Sequence, residues 1–301
     1  MRLGGPIFKS VKTIEEAVNE HKRLGFGASY VNYIADASER EEYKDAFAKA
    51  DIVLAELGAY CINILDTDPK IKQANIDEIC RRLEQAEAMG ARCCVMHGGS
   101  IETGGWGKAN PENLSEKSFI ETVKIVQDIV DRVKPKTTKL VMETESYLFP
   151  DGPEEYLRLI DAIDRPGFAV HLDPVNIIAS PRRFYKNGQF IKECIALLGN
   201  HIVSCHAKDL NMVPIHPTVK IDETYIGDGV LDYDTYLTEI NKMNPAPTMM
   251  IEHLNEAQLI RGLKFIYGKA AENKIVFEGS ENRGELSEEN ASEEYFAPHQ
   301  E

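Results

Sequence analysis

Eight short apolar runs, each followed by a stretch with helical periodicity, order this chain from end to end. They lie near residues 2–5, 28–32, 59–64, 91–97, 139–143, 168–173, 201–206 and 248–252. Strands that alternate with helices in this way build a parallel sheet, because parallel neighbours need a long crossover connection. Thr13 is placed to cap a helix over 14–23, Asn75 one over 76–89 that Gly90 stops, and Ser115 one over 116–133. A last helix covers 256–272. Eight such units over roughly 275 residues match the size of a (β/α)8 TIM barrel. A doubly wound open sheet normally has fewer strands and a glycine-rich loop after the first, whereas Leu3-Gly4-Gly5-Pro6 contains no GxGxxG. The expected architecture is a single-domain (β/α)8 barrel over 1–278. An acidic, flexible tail over 279–301 follows, where Tyr295-Phe296 can dock on the barrel or on a neighbouring subunit.

Four of the runs end on metal-binding residue types: Glu143, Asp173, His206 and Glu252. In a barrel all strand C-termini open into one bowl, so these four converge from strands five to eight. Three carboxylates and one imidazole suit one divalent ion, Mn2+ first, with Mg2+, Co2+ or Zn2+ as alternatives. Taken singly, each carboxylate is equally well a cap for the helix that follows. Four in one chain point to a site.

Composition excludes several roles. A net charge of −15 disfavours nucleic-acid backbones, which call for a basic face. No apolar run approaches the roughly 20 residues that span a membrane, and the N-terminus has no secretion-type apolar region. The six cysteines show no disulfide or CxxC spacing, so they read as reduced core thiols in a cytoplasmic protein.

The segments Val141-Met142-Glu143, Leu172-Asp173-Pro174, His206-Ala207-Lys208-Asp209, Gly227-Asp228-Gly229-Val230-Leu231-Asp232-Tyr233 and Ile251-Glu252, in this order, resemble the xylose-isomerase-like sugar isomerase/epimerase superfamily of barrels. The resemblance implies that Glu143, Asp173, His206 and Glu252 bind one divalent ion and that Glu143 and Glu252 also act as acid and base. It further implies proton abstraction beside a metal-held carbonyl of a small sugar or polyol-like substrate, through an enediolate. A homo-oligomer, or a complex with a small partner subunit, is the expected assembly.

Other residues are candidates for substrate contacts. His97, at the end of the fourth run, either contacts substrate or metal or is bonded to the turn backbone. Lys208 and Asp209 either approach the substrate or form a solvated pair at the loop start. Trp106, the only tryptophan, sits in a long loop over 97–114 and can wall a sugar ring or anchor the loop. Arg183, beside Arg182 and Lys186, can receive a phosphate or carboxylate or lie on a solvated face. His171, two residues before Asp173, falls one layer lower on the same strand face. A second long loop, 207–230, offers Asn211, His216 and Lys220 as polar groups. Many relatives carry a histidine where this chain has Asn176, which donates a hydrogen bond but carries no charge.

Elimination on the same scaffold, in the manner of an inosose dehydratase or a C-glycoside-cleaving subunit, is the alternative to isomerisation or epimerisation. A nuclease resembling endonuclease IV also shares this barrel, but it uses several zinc ions and more histidines, and the acidic balance opposes DNA. A catalytically silent sugar-binding barrel would have no need of two glutamates facing an ion.

Overall fold

The apolar runs become strands that close on themselves. A computed structural model describes residues 1–215, 217–281, 284 and 286. His216 and Tyr295-Phe296, with most of the tail, lie outside the described residues. Among those described, the strands are β1 (Arg2–Gly4), β2 (Ala28–Val31), β3 (Val53–Ala59), β4 (Cys93–Met96), β5 (Lys139–Glu143), β6 (Phe168–Leu172), β7 (Ile202–Ala207), β8 (Asp209–Ile215), β9 (Thr218–Thr224) and β10 (Thr248–Ile251). β1 to β7 and β10 form a closed parallel barrel in the order β1-β10-β7-β6-β5-β4-β3-β2. This is the expected (β/α)8 barrel. No helix among the described residues is long and apolar enough to cross a membrane.

Local signals place the helices where capping chemistry dictates. The Thr13 side chain accepts from Glu16 N, and Gly25 ends the helix Ile14–Leu24 in the left-handed region. Ser115 caps Glu116–Val133, and Asn255 with Gln258 forms a capping box on Glu256–Glu272.

Three expectations are corrected. The third strand is Val53–Ala59 rather than 59–64, because the chain leaves the barrel wall after Ala59 and Cys61 takes a positive φ of 57°. The next helix starts at Pro69, capped by Asp68, and not at 76. Proline suits a first helical position, where its missing N–H costs nothing, while Asn75 donates to Asn63 O instead of capping. Finally, the long segment after β7 is not an open loop. It pairs into an antiparallel hairpin, β8 with β9, that stands over the mouth of the barrel.

Strand periodicity of two divides the wall into two faces. Met142, Leu172, Cys205, Met249 and Ile251 pack outward with helix residues such as Leu83, Ile129 and Leu159 in the main core. Val141 and Ala169, on the opposite face, belong to a small separate cluster with Cys93 and Val95 inside the barrel. Tyr156, fully buried, ties two strands together: its hydroxyl accepts from Met142 N (3.1 Å) and His171 N (3.2 Å) and lies 2.5 Å from Met142 O. Tyr156→Phe strips these buried backbone groups of their partner and is expected to cost about 1–3 kcal/mol, read as a lower midpoint in urea denaturation.

Candidate metal centre

The inner face of the wall also delivers the site, because residues two apart along a strand stack in a column. Val141, Glu143 and Glu145 form one column, Ala169, His171 and Asp173 a second, and Ser204, His206 and Lys208 a third. The columns end where the strands end, so their upper members meet at the mouth.

There Glu143, Asp173, His206 and Glu252 come together, all buried, with one ligand atom from each within 4.8 Å of the others. His206 Nδ1 lies 2.9 Å from Glu252 Oε1, 3.1 Å from Glu143 Oε1 and 3.6 Å from Asp173 Oδ2. Asp173 has a different environment at each oxygen. Its Oδ1 caps the short helix Pro174–Ile177 by accepting from Val175 N and Asn176 N, while Oδ2 faces the centre. Asp173 Oδ2 and Glu252 Oε1 are buried yet have no hydrogen-bond partner among the described residues; each has only ion contacts with His206 and Lys208.

Below this quartet stands Glu56, on the strand that the sequence reading misplaced. It is completely buried and bridges two imidazoles: Oε1 lies 3.0 Å from His171 Nε2, and Oε2 lies 3.3 Å from His206 Nε2. The Ser204 hydroxyl donates to it as well. His171 therefore sits one layer below the quartet, as expected. Its partner Glu56 had one visible signal, a lone charge inside the apolar run VLAELGA.

Charge explains the arrangement. Burial pushes Glu143 and Glu252 upward, but the His206 imidazolium and Lys208 ammonium overcome it and hold both carboxyls well below the usual range. Burial likewise opposes ionising Glu56, and His171 and His206 bring it down to about 2. Against desolvation, Glu252 and Glu143 hold the His206 proton on well above the normal histidine range. A ligating histidine is neutral, so with His206 as a ligand four carboxylates (Glu56, Glu143, Asp173, Glu252) face the Lys208 cation: −4 + 1 = −3 in formal charges. One divalent cation would offset most of that charge, and the two oxygens that lack a hydrogen bond give it ligands. The donor set fits the ion.

The remaining predicted residues divide into two groups. His97, Asn176 and Lys208 join the centre. His97 Nδ1 faces the Cys61 amide, 3.5 Å away, which leaves Nε2–H to donate to Glu143 Oε2 at 3.3 Å, so one ring both meets the backbone and borders the centre. Gly98 lets the chain bend away at once, since a Cβ there would lie 2.0 Å from Phe149 O. Asn176 Nδ2 donates to Glu143 Oε1 (2.9 Å), and its Oδ1 accepts from Lys208 Nζ (3.2 Å). Lys208 is not the solvated residue of a loop start: it is 2% exposed, and its Nζ lies 3.0 Å from Asp173 Oδ2 and against Glu252. The Trp106 ring lies 4.4 Å from that of His97, and its indole N–H has no partner among the described residues, so it is free to donate to a ligand.

Asp209 and Arg183 do other work. Asp209 is buried, and its two oxygens accept from the amides of Leu210, Gly227, Gly229 and Leu231. That carboxylate clamps the Gly227-Asp228-Gly229 turn and has no capacity left for substrate; a Cβ on Gly229 would meet it at 2.1 Å. Arg183 donates to Ile177 O at 2.8 Å and stacks 4.5 Å from the Phe190 ring, which anchors it to its own loop. Glu145, not singled out in the sequence, lies 3.8 Å from His97 Nε2; burial pushes it up to about 7.

Two outcomes follow. An ion taken up at His206 Nδ1 requires the remaining ring proton on Nε2, facing Glu56, so Glu56→Leu is expected to weaken divalent-ion binding about 10–100-fold by titration calorimetry. In chelator-treated protein, Glu145 is ordinary (4.5) when unfolded and about 7 when folded. The folded state then holds the extra proton, and stability falls as pH rises from 4.5 to 7, remaining lower above it. Glu145→Gln is expected to gain stability over the parent chain at about pH 8 and to match it at about pH 4, read by thermal unfolding.

Comparisons with known proteins bear on the fold and the family. No curated protein matches the chain. Among solved structures, endonuclease IV from Thermus thermophilus superposes with a TM-score of 0.69 at 14% identity, covering 90% of this chain and 100% of that one. A 3-keto-D-glucoside 4-epimerase from E. coli follows with a TM-score of 0.64, 16% identity and coverage of 90% and 99%. A xylose isomerase-like TIM barrel protein from Mycobacterium smegmatis, in complex with magnesium, gives 0.61 at 12% identity, covering 87% and 90%. At these identities the likeness establishes the fold. The model of one family, described as xylose isomerase-like TIM barrel, matches residues 18–269, and the chain belongs to that family.

Proposed function

We propose that the protein is a divalent-metal-dependent isomerase or epimerase that moves a proton beside the carbonyl of a small sugar or polyol-like substrate. The observation that carries this reading is the pair of buried carboxylate oxygens, Asp173 Oδ2 and Glu252 Oε1, that make no hydrogen bond and have only ion contacts with Lys208 and His206, in a cluster with more carboxylates than cations. Burying more carboxylates than the local cations offset costs free energy, and a bound cation recovers it. Glu143, Asp173, His206 and Glu252 would hold the ion, manganese first; the magnesium in the Mycobacterium smegmatis protein supports a hard divalent ion in this family.

When bound, the ion supplies Lewis acidity toward a carbonyl oxygen. The protein's own groups do the rest. Glu143 and Glu252 flank the centre from β5 and β10; one takes the proton from the carbon next to the carbonyl, and the other returns one to the opposite face or to the adjacent carbon. His97 and Asn176 each donate to Glu143, one to each oxygen, and so fix its orientation for that transfer. Trp106 N–H is free to bind a substrate hydroxyl.

Elimination is the second reading. Glu145 supports it, since a third carboxyl beside His97 gives the site a proton donor for a leaving group, which an exchange between two glutamates does not use. A nuclease role is disfavoured by carboxylates crowding the mouth, which repel phosphate.

Glu143→Gln is expected to lower substrate-dependent uptake of solvent deuterium by a factor of about 10²–10⁴ while leaving the fold unchanged by circular dichroism. Full activity in that variant sinks the acid–base role. Product mass decides between the two readings: it is conserved in isomerisation and reduced in elimination.

A further inference from the structure

The hairpin of β8 and β9 has two unlike faces. Directly opposed residues in an antiparallel pair share a face, so Leu210 with Glu223, Met212 with Ile221 and Pro214 with Val219 lie together. That face, apolar apart from Glu223, borders a half-open cavity of about 300 Å³ whose polar lining is Ser146, Asn176, Asp222 and Glu223. Leu210, Val219 and Ile221 form one wall, and Val175, Ile178 and Ala179, from the segment after Asp173, form the other.

The cavity is joined to the metal centre by two of its own lining residues. Asn176 holds Glu143 and Lys208, and Glu223 lies 3.7 Å from Lys208 Nζ. Its charged lining residues are both acidic, Asp222 and Glu223. The cations close by are already matched: Lys208 with Asp173 and Glu252, His253 with Glu223, and Lys220 with Asp222. Arg183, expected to serve as an anion receptor, is bonded to Ile177 O. Among the described residues, an anion entering here meets two carboxylates, and the Lys and His side chains beside them already face carboxylates.

We infer that the cavity between the hairpin and residues 175–179 is a subsite for an uncharged apolar substituent of about ring size, carried by the substrate next to its metal-held hydroxy-carbonyl group. This rests on the proposed metal-dependent reading and names the substrate class within it. Size permits it, since an apolar cavity of about 150 Å³ already accepts benzene. Energetics favour it as well, because half-exposed apolar side chains such as Val219, 45% exposed, gain from being covered. A phosphorylated substrate is the occupant that this lining rejects.

Three probes that differ only beside the hydroxy-carbonyl group test the inference on the full chain loaded with magnesium: hydroxyacetone, 2-hydroxyacetophenone and dihydroxyacetone phosphate. Calorimetric titration is expected to give roughly tenfold or tighter binding of the aryl probe over hydroxyacetone, with the phosphate weakest. Val219→Lys, at a half-exposed hairpin position that tolerates the change, is expected to reverse the order of the aryl and phosphate probes. Equal affinity for hydroxyacetone and the aryl probe, or tightest binding of the phosphate, overturns the subsite. Solvent-deuterium exchange into the probes separates this failure from that of the parent reading. Exchange without aryl preference keeps the isomerase and removes the subsite, whereas aryl preference without exchange keeps the subsite and removes the isomerase. Binding of none overturns both.

Discussion

His206 is the joint on which the site depends. One ring nitrogen faces Glu143, Asp173 and Glu252 at the mouth, and the other faces Glu56 on the floor beneath. A buried carboxylate is expensive without a partner, and here one imidazole partners groups on both sides. Floor and mouth are thus coupled. The Glu56 layer, with His171, Ser204 and Thr248 packed around it, sets the ring that the mouth uses.

The same electrostatic constraint explains Lys208. Four buried carboxylates in one barrel need compensation, and a single imidazole does not provide it. Lys208 follows β7 directly and folds its ammonium down onto Asp173 and Glu252 instead of out into water. Asn176, neutral and short, bridges Lys208 to Glu143 and keeps both oriented. A histidine at that position would add a further titrating group to a cluster that already carries two cations.

Above this floor the hairpin sets the environment of the entrance. Asp209 pins its first residues and the turn after β9 through four backbone hydrogen bonds, so the hairpin stands on a rigid base. Its Leu210, Val219 and Ile221 then face the residues that follow Asp173, and Glu223 on the same side reaches Lys208 of the metal centre. A charged interior and an apolar vestibule are in this way built from one short stretch of chain.

Period-two columns and strand ends could be read directly from the sequence: Glu143, Asp173, His206 and Glu252 each close an apolar run, and barrel geometry brings such positions together. The helix caps Thr13 and Ser115 were equally legible, because capping is decided within three or four residues, although Asn75 was misread as a cap in place of Asp68. What lay beyond the sequence was long-range. Glu56 is 150 residues from His206, and only barrel closure with the correct register of β3 makes them neighbours. Lys208 and Arg183 are both cations in loops after strands. Whether each meets carboxylates or a backbone carbonyl and an aromatic ring was decided by packing. Local chemistry chose the elements and the ligand types; closure of the barrel chose the partners, since charges pair with whatever the fold brings within reach.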